Sequence, residues 1–359
     1  MINVFQPSAG QTELSAIAET FESNWLGKGK QVAAFEAAWA KHIGTTPDHV
    51  VSTTSATEGL FQVCELIGLH RGDKVIMPTI SFVGAANAVL ATGATPVFCD
   101  VDLHTLNPRL SDIQAVYTKH TFALILLHYG GSTQELGEIR QWCNENDIVM
   151  IEDAACAQAT VYRGRTAGTW GHYGVWSFDA MKIITTGDGG MIYCEDANDA
   201  KRLRQRMYMG LEESSGLSST GDKWWKFSTN HPGRRAIMND IAASMGLAQL
   251  EKLNRFVERR KSISSIYQTI EDVYFDCSVL PYYFYWVQTP ERDELAKHLK
   301  ANGVYTTFRY YPLHWALKTS DSLPNAEWAA NNTLLLPLHQ ALSDDDVMFV
   351  CDKVKEFFS

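Results

Sequence analysis

The sequence predicts an α/β protein: a mostly parallel sheet flanked by helices, followed by a smaller α+β unit. Three observations carry that prediction. Between about residues 50 and 195, short apolar runs alternate with helix-like stretches. The runs show little polar alternation, as expected of strands covered on both faces. After residue 195 this rhythm stops, and 359 residues exceed what one hydrophobic core usually holds.

The strand candidates are KVIMP (74–78), TPVFCDV (95–101), FALILLHY (122–129), IVMIED (148–153), GVWSFD (174–179) and GGMIYCE (189–195). Between them lie helical patterns such as QELGEIRQWCNEND (134–147). Ser55 and Glu58 form an S-x-x-E capping box ahead of an apolar face of Leu60, Val63, Cys64 and Ile67. Segment 210–235, rich in Gly, Ser, Thr and charge, reads as a long surface loop. A helix capped at Asn239 follows, its apolar face continuing through Leu250, Leu253 and Val257, and a final helix is expected near 343–358. The division falls at 250/251, with a large unit over 1–250 and a small one over 251–359.

Composition narrows the classes. A formal net charge of −10 lacks the basic footprint that nucleic acid or an anionic membrane demands. The basic cluster EKLNRFVERRK (251–261) reads as a solvated helix face. Seven scattered cysteines without C-x-x-C spacing suit free thiols in a reducing compartment rather than a zinc site. No signal-peptide pattern opens the chain and no apolar run is long enough to span a bilayer, so a cytoplasmic protein is expected.

Three features carry chemistry together, although each alone has a plain structural reading. The helix behind Ser55 can be merely capped, or its free N–H groups can hold a phosphate at Ala56 and Thr57. Two acids end the IVMIED strand, and a buried pair asks for a cationic partner. Lys182, among Met181, Ile183 and Ile184, can snorkel to water, or have its pKa lowered until the neutral amine attacks a carbonyl. A phosphate cradle, a carboxylate and a lysine at strand ends of one sheet are what pyridoxal 5′-phosphate requires.

At this point the chain resembles the DegT–StrS family of PLP-dependent sugar aminotransferases along nearly its whole length. The resemblance rests on NWLGKG (24–29), TSAT (54–57), MPTISFVGAANAVLATGATPVFCDVD (77–102), LHYGG (127–131), IEDAACA (151–157), SFDAMK with GDGG, IAASMGLAQLEKL (241–253) and LPNAEWAANNTLLLPL (323–338) in one order. It implies the type I PLP-transferase fold, with a mostly parallel seven-stranded sheet, and a homodimer with active sites at the subunit interface. It also implies that Lys182 carries the cofactor and then moves the proton, and that Asp153 pairs with the pyridine nitrogen. Ser177 and Thr57, with the amides of Ala56 and Thr57, would hold the phosphate, and Phe82 would stack on the ring.

Three departures from the family pattern stand out. Cys156 occupies the place of a Gln or His near the cofactor's phenolic oxygen, with Gln158 a possible substitute. Gly233-Arg-Arg-Ala-Ile-Met238 replaces Gly-Tyr-Asn-Tyr-Arg-Met, so Arg235 would meet phosphate, or Arg234 or Arg235 a substrate carboxylate. Arg309 adds a cation to the segment TTFRYYPLH (306–314), in which His314 is expected near the site mouth and Tyr310 and Tyr311 read as packing. With L-glutamate as donor, these arginines point to a sugar-acid acceptor, an 8-oxo-3,8-dideoxy-manno-octulosonate aminated for lipopolysaccharide. The alternatives are a nucleotide-linked 4-keto or 3-keto deoxysugar, or a non-catalytic PLP-binding regulator.

Overall fold

The structure is a computed structural model that describes residues 1–211, 227–229, 231–270 and 281–359. Most of the loop expected over 210–235 lies outside the described residues. All six apolar runs form strands. In chain order the strands are β1 (Val50–Thr53), β2 (Lys74–Pro78), β3 (Thr95–Cys99), β4 (Thr121–Leu127) and β5 (Val149–Asp153). A short hairpin, β6 (Val161–Tyr162) and β7 (Arg165–Thr166), leads to β8 (Tyr173–Ser177) and β9 (Gly190–Cys194).

Seven of these make one sheet in the order β1-β9-β8-β5-β4-β2-β3. Every neighbouring pair is parallel except those involving β9, which runs against both β1 and β8. The protein is therefore an α/β fold on a mostly parallel seven-stranded sheet. The edge strand β1, VVST, is too short to announce itself in the sequence and is recruited by β9.

Because the other six strands point one way, their carboxyl ends share one edge, the usual ligand edge of such sheets. Thr53, Leu127, Asp153 and Ser177 end four strands there. Gly190 lies opposite both Thr53 and Ser177, and a Cβ on it would come 2.7 Å from the Ala56 nitrogen. Only glycine lets β9 pass this close to the start of the helix Ala56–Leu66.

That helix buries Leu60, Val63 and Cys64, as its pattern predicted, and Ser55 Oγ caps it by accepting from Glu58 N–H at 3.1 Å. Such a cap contributes about 1 kcal/mol. The capping box is only half formed, since Glu58 turns to Gln62 (2.8 Å) and Arg234. The NWLGKG segment docks by another cap: Asp240 Oδ1 accepts from Gly29 N–H (2.8 Å) and Val32 N–H (3.0 Å), starting the helix Lys30–Ile43. Trp39 of that helix meets Trp176 and Phe178 edge-on, with centroids 5.5 and 5.0 Å away, and so pins the strand that leads to Lys182.

The helix expected from Asn239 through Val257 is interrupted. Helix Asp240–Leu250 ends, and Leu253–Tyr267 begins after Glu251 and Lys252. At the break Gln249 and Lys252 both reach Glu13 of the first helix. A second apolar cluster follows, with Ile263, Tyr267, Leu295, Leu299 and Val347 packed around the antiparallel pair β10 (Tyr285–Gln288) and β11 (Thr333–Leu336). The final helix, Asp344–Phe358, carries a complete capping box between Ser343 and Asp346. The cluster at 251–261 is only partly a solvated face, because Arg260 is buried.

Several hydrogen bonds tie the segment 306–314 to distant parts of the fold, two of them between main-chain groups. Leu335 N–H donates to Thr307 O (2.7 Å) and Leu313 N–H to Thr79 O (2.8 Å). They bring Arg309 and Tyr310 over the carboxyl edge of the sheet.

Candidate active site

At that edge lies a cavity of about 240 Å³. Its walls include Ala56, Thr57, Phe82, Asp153, Ser177 and Lys182, which the sequence had singled out from separate segments. Arg309 and Tyr310 close it from the far side.

The two acids of IVMIED part company because consecutive strand residues face opposite sides of a sheet. Glu152 is fully buried on a polar network: it pairs with His128 Nε2 (2.8 Å) and accepts from Gly168 N–H (2.7 Å) and Gly171 N–H (2.6 Å). Asp153 faces the cavity with, among the described residues, a single side-chain hydrogen bond, from Ala155 N–H to Oδ1 at 3.2 Å. Burial holds its carboxyl above the usual range, against the Ala155 N–H and the charges of Lys182 and His128.

Lys182 is buried, and its Nζ donates to the Tyr283 hydroxyl at 3.0 Å. Here the expectation of a depressed pKa is corrected. Burial does pull the ammonium down, but Cys156, Tyr310, Asp153 and Asp179 together hold it above its ordinary value. The apolar neighbours Ile183 and Ile184 are buried beside the lysine, but the groups that act on its charge are acidic.

The residues fit pyridoxal phosphate. The amides of Ala56 and Thr57 open a helix and have no intrahelical partner. Ser177 lines the same cavity, beside Gly190, which approaches the Ala56 nitrogen, so an anion finds donors and the positive end of the helix together. A buried carboxyl with one hydrogen bond suits a ring N–H, and a buried amine lies in the same cavity. Phe82, otherwise readable as a core aromatic, is 45% exposed and forms part of the wall, 5.9 Å from the Tyr310 ring.

Other predicted residues lie elsewhere. Gln158 is buried in the scaffold, donating to Ser177 O (2.6 Å) and accepting from Ile184 N–H (3.2 Å). The Cys156 thiol lies 3.9 Å from the Tyr310 hydroxyl. Arg234 is exposed on ion pairs with Glu65 and Glu58, and Arg235 is exposed over the Tyr208 ring at 5.6 Å. His314 is buried, its Nδ1 on Thr79 Oγ1 at 2.7 Å, and does not line the cavity. Arg309 does line it, with no acidic partner among the described residues; its Nη2 lies 3.3 Å from Met181 Sδ. Tyr310, read as packing, is part of the wall, and Tyr283 had no signal at all within YYFYW.

The DegT/DnrJ/EryC1/StrS aminotransferase family model matches residues 7–355. A dTDP-4-dehydro-2,3,6-trideoxy-D-glucose 4-aminotransferase from Saccharopolyspora spinosa is 45% identical over 99% of this chain and 96% of its own length. GDP-perosamine synthase from Escherichia coli O157:H7 is 30% identical over 100% and 99% of the two chains. Among solved structures, the aminotransferase TlmJ from Streptoalloteichus hindustanus superposes with a TM-score of 0.94 at 46% identity, covering 100% of this chain and 99% of its own. Sequence, fold and site converge: the chain belongs to the DegT/DnrJ/EryC1/StrS aminotransferase family and is a PLP-dependent sugar aminotransferase.

Proposed function

We propose that the enzyme moves the amino group of L-glutamate to the carbonyl of a nucleotide-linked 4-keto deoxysugar. The observation that carries this reading is 45% identity, across nearly the whole of both chains, to an enzyme named for a dTDP-4-dehydro sugar. The sugar-acid acceptor expected from Arg234, Arg235 and Arg309 is not retained. Of the three only Arg309 lines the cavity, and the amino-acid donor supplies a carboxylate for it in any case.

In this reading the Ala56 and Thr57 amides and Ser177 bind the cofactor phosphate, and Phe82 covers the ring. Asp153 accepts from the ring nitrogen, which keeps it protonated. When bound, pyridoxal phosphate supplies an electron sink for charge developing at the donor's α-carbon. Lys182 would hold the cofactor and, once free, would take the proton from that α-carbon and deliver it to the cofactor rather than back to the donor. Arg309 orients the donor by its carboxylate, a target suited to the guanidinium fork.

The reading includes a cytoplasmic homodimer. Arg234 and Arg235 stand exposed outside the cavity of their own chain, and apolar Leu14, Phe21 and Trp25 are exposed on the N-terminal segment, surfaces that a second copy could cover. Six described cysteines are free and buried, which supports a reducing compartment. No described helix is long and apolar enough to cross a membrane.

The test presents PLP-loaded protein and L-glutamate with dTDP-linked and GDP-linked 4-keto-deoxysugars and with the 8-oxo sugar acid. Amination of a nucleotide sugar is expected, and Lys182→Ala should abolish it. Turnover of the sugar acid alone would restore the rejected acceptor. A protein that binds PLP yet aminates nothing would favour the non-catalytic regulator.

A further inference from the structure

Tyr283 meets the amine of Lys182 in two ways. Its hydroxyl oxygen accepts from Nζ at 3.0 Å, and Nζ lies 5.2 Å from the centroid of the same ring. Both side chains are buried, at 2% and 8% exposure. The adjacent Tyr282 faces elsewhere, its hydroxyl on Thr160 and the Ala159 N–H. The two rings are therefore not interchangeable, and only one reaches the lysine.

Behind this pair stands Arg260, 1% exposed and without a carboxylate partner among the described residues. Its Nη1 reaches the carbonyls of Tyr282 and Tyr283 at 3.4 Å and of Leu338 at 3.1 Å, and its Nε donates to Gln340 Oε1 at 2.8 Å. A buried cation without a counter-ion is costly. What this one accomplishes is to hold the main chain from which both tyrosines project.

We propose that Tyr283 is the holding point of the Lys182 amine. Whenever Nζ is free it donates to the phenol oxygen, which keeps the amine against the cavity wall in position to exchange a proton and favours its charged form. The phenol keeps its own proton throughout, so no charge leaves the pair. This inference rests on the reading that Lys182 is the residue that carries the cofactor.

Tyr283→Phe isolates the oxygen, since the phenyl ring preserves the packing and the contact with the cation. The readout is the pH dependence of PLP capture by cofactor-free, full-length protein, followed by the visible absorbance of the bound cofactor. Removing an acceptor disfavours the ammonium, so Tyr283→Phe should lower the midpoint by about one pH unit. Tyr283→Gln, which supplies an acceptor, should lower it less, and Tyr282→Phe should leave it in place. In the loaded enzyme Tyr283→Phe should cut kcat about tenfold with the donor KM nearly unchanged.

A wild-type midpoint in soluble Tyr283→Phe would overturn the proposal. So would an equal shift in Tyr282→Phe, because both tyrosines would then act only through packing. If Lys182→Ala captured PLP as wild type does, the underlying reading would fail, and the inference with it.

Discussion

The Gln158 side chain closes the loop that carries Lys182 like a clasp: its Nε2 donates to Ser177 O at 2.6 Å while its Oε1 accepts from Ile184 N–H at 3.2 Å. Nε2 also reaches Ile184 O at 3.3 Å. One fully buried amide thus satisfies main-chain groups on both sides of the lysine. Gln158→Leu would leave those groups unpaired at a cost of about 2–3 kcal/mol. Denaturant unfolding should show that loss, together with weaker PLP retention; unchanged stability would refute the clasp.

His314 serves the fold. With Nδ1 on Thr79 Oγ1 at 2.7 Å and the ring buried, His314→Ala removes a hydrogen bond and opens a void, costing about 2 kcal/mol. Thermal unfolding should fall accordingly, while kcat and both KM values stay within about twofold of wild type. A selective rise in acceptor KM would return His314 to the substrate.

The arginines should separate in kinetics. Arg234 is 45% exposed on its ion pairs, a setting worth at most about 1 kcal/mol, so Arg234→Ala should leave the donor KM almost unchanged. Arg309→Ala removes a cavity cation and should raise the donor KM about tenfold or more. Equal donor KM values in the two variants would remove Arg309 from donor binding.

Asp153 makes the cofactor-free protein pH-sensitive with a definite sign. Its folded pKa is raised, chiefly by burial, so between the unfolded and folded values the native state binds more protons than the unfolded state. Its contribution is therefore complete below the ordinary carboxylate pKa and is lost as pH rises through the folded one. Cofactor-free Asp153→Asn should melt above wild type at pH 8, and the gap should close towards pH 4. The same variant should lose transamination. A melting difference that does not change with pH would contradict the assignment.

Much of this was legible in the linear chain. Apolar runs and the caps at Ser55 and Asn239 report local preferences that tertiary packing reinforced. Features that depend on distant partners were less so. The sequence offers Gln158 as a substitute for the family Gln or His beside the cofactor, but its amide is engaged by Ser177 and Ile184, which become its neighbours only when β5 and β8 pair. Without the family resemblance Phe82 would read as a core aromatic, yet its ring is exposed because it opens a helix at the cavity wall. The depressed lysine pKa was a reasonable local expectation from Ile183 and Ile184, but it omitted Asp153, Tyr310 and Cys156, which the fold brings near.

By itself, then, the sequence determined the layered α/β architecture, the family and the segments that bear Lys182, Asp153 and the helix start at Ala56. These follow from periodicity, capping and motif order, which act over a few residues at a time. Only the tertiary structure decided which side chains face one another across the cavity. It sent Glu152 inward and Asp153 to the site by strand alternation, withdrew His314 and Arg234, and set Tyr283 against the amine of Lys182. Charge and hydrogen bonding act through space, and strand pairing together with the docking of the 306–314 segment set those distances.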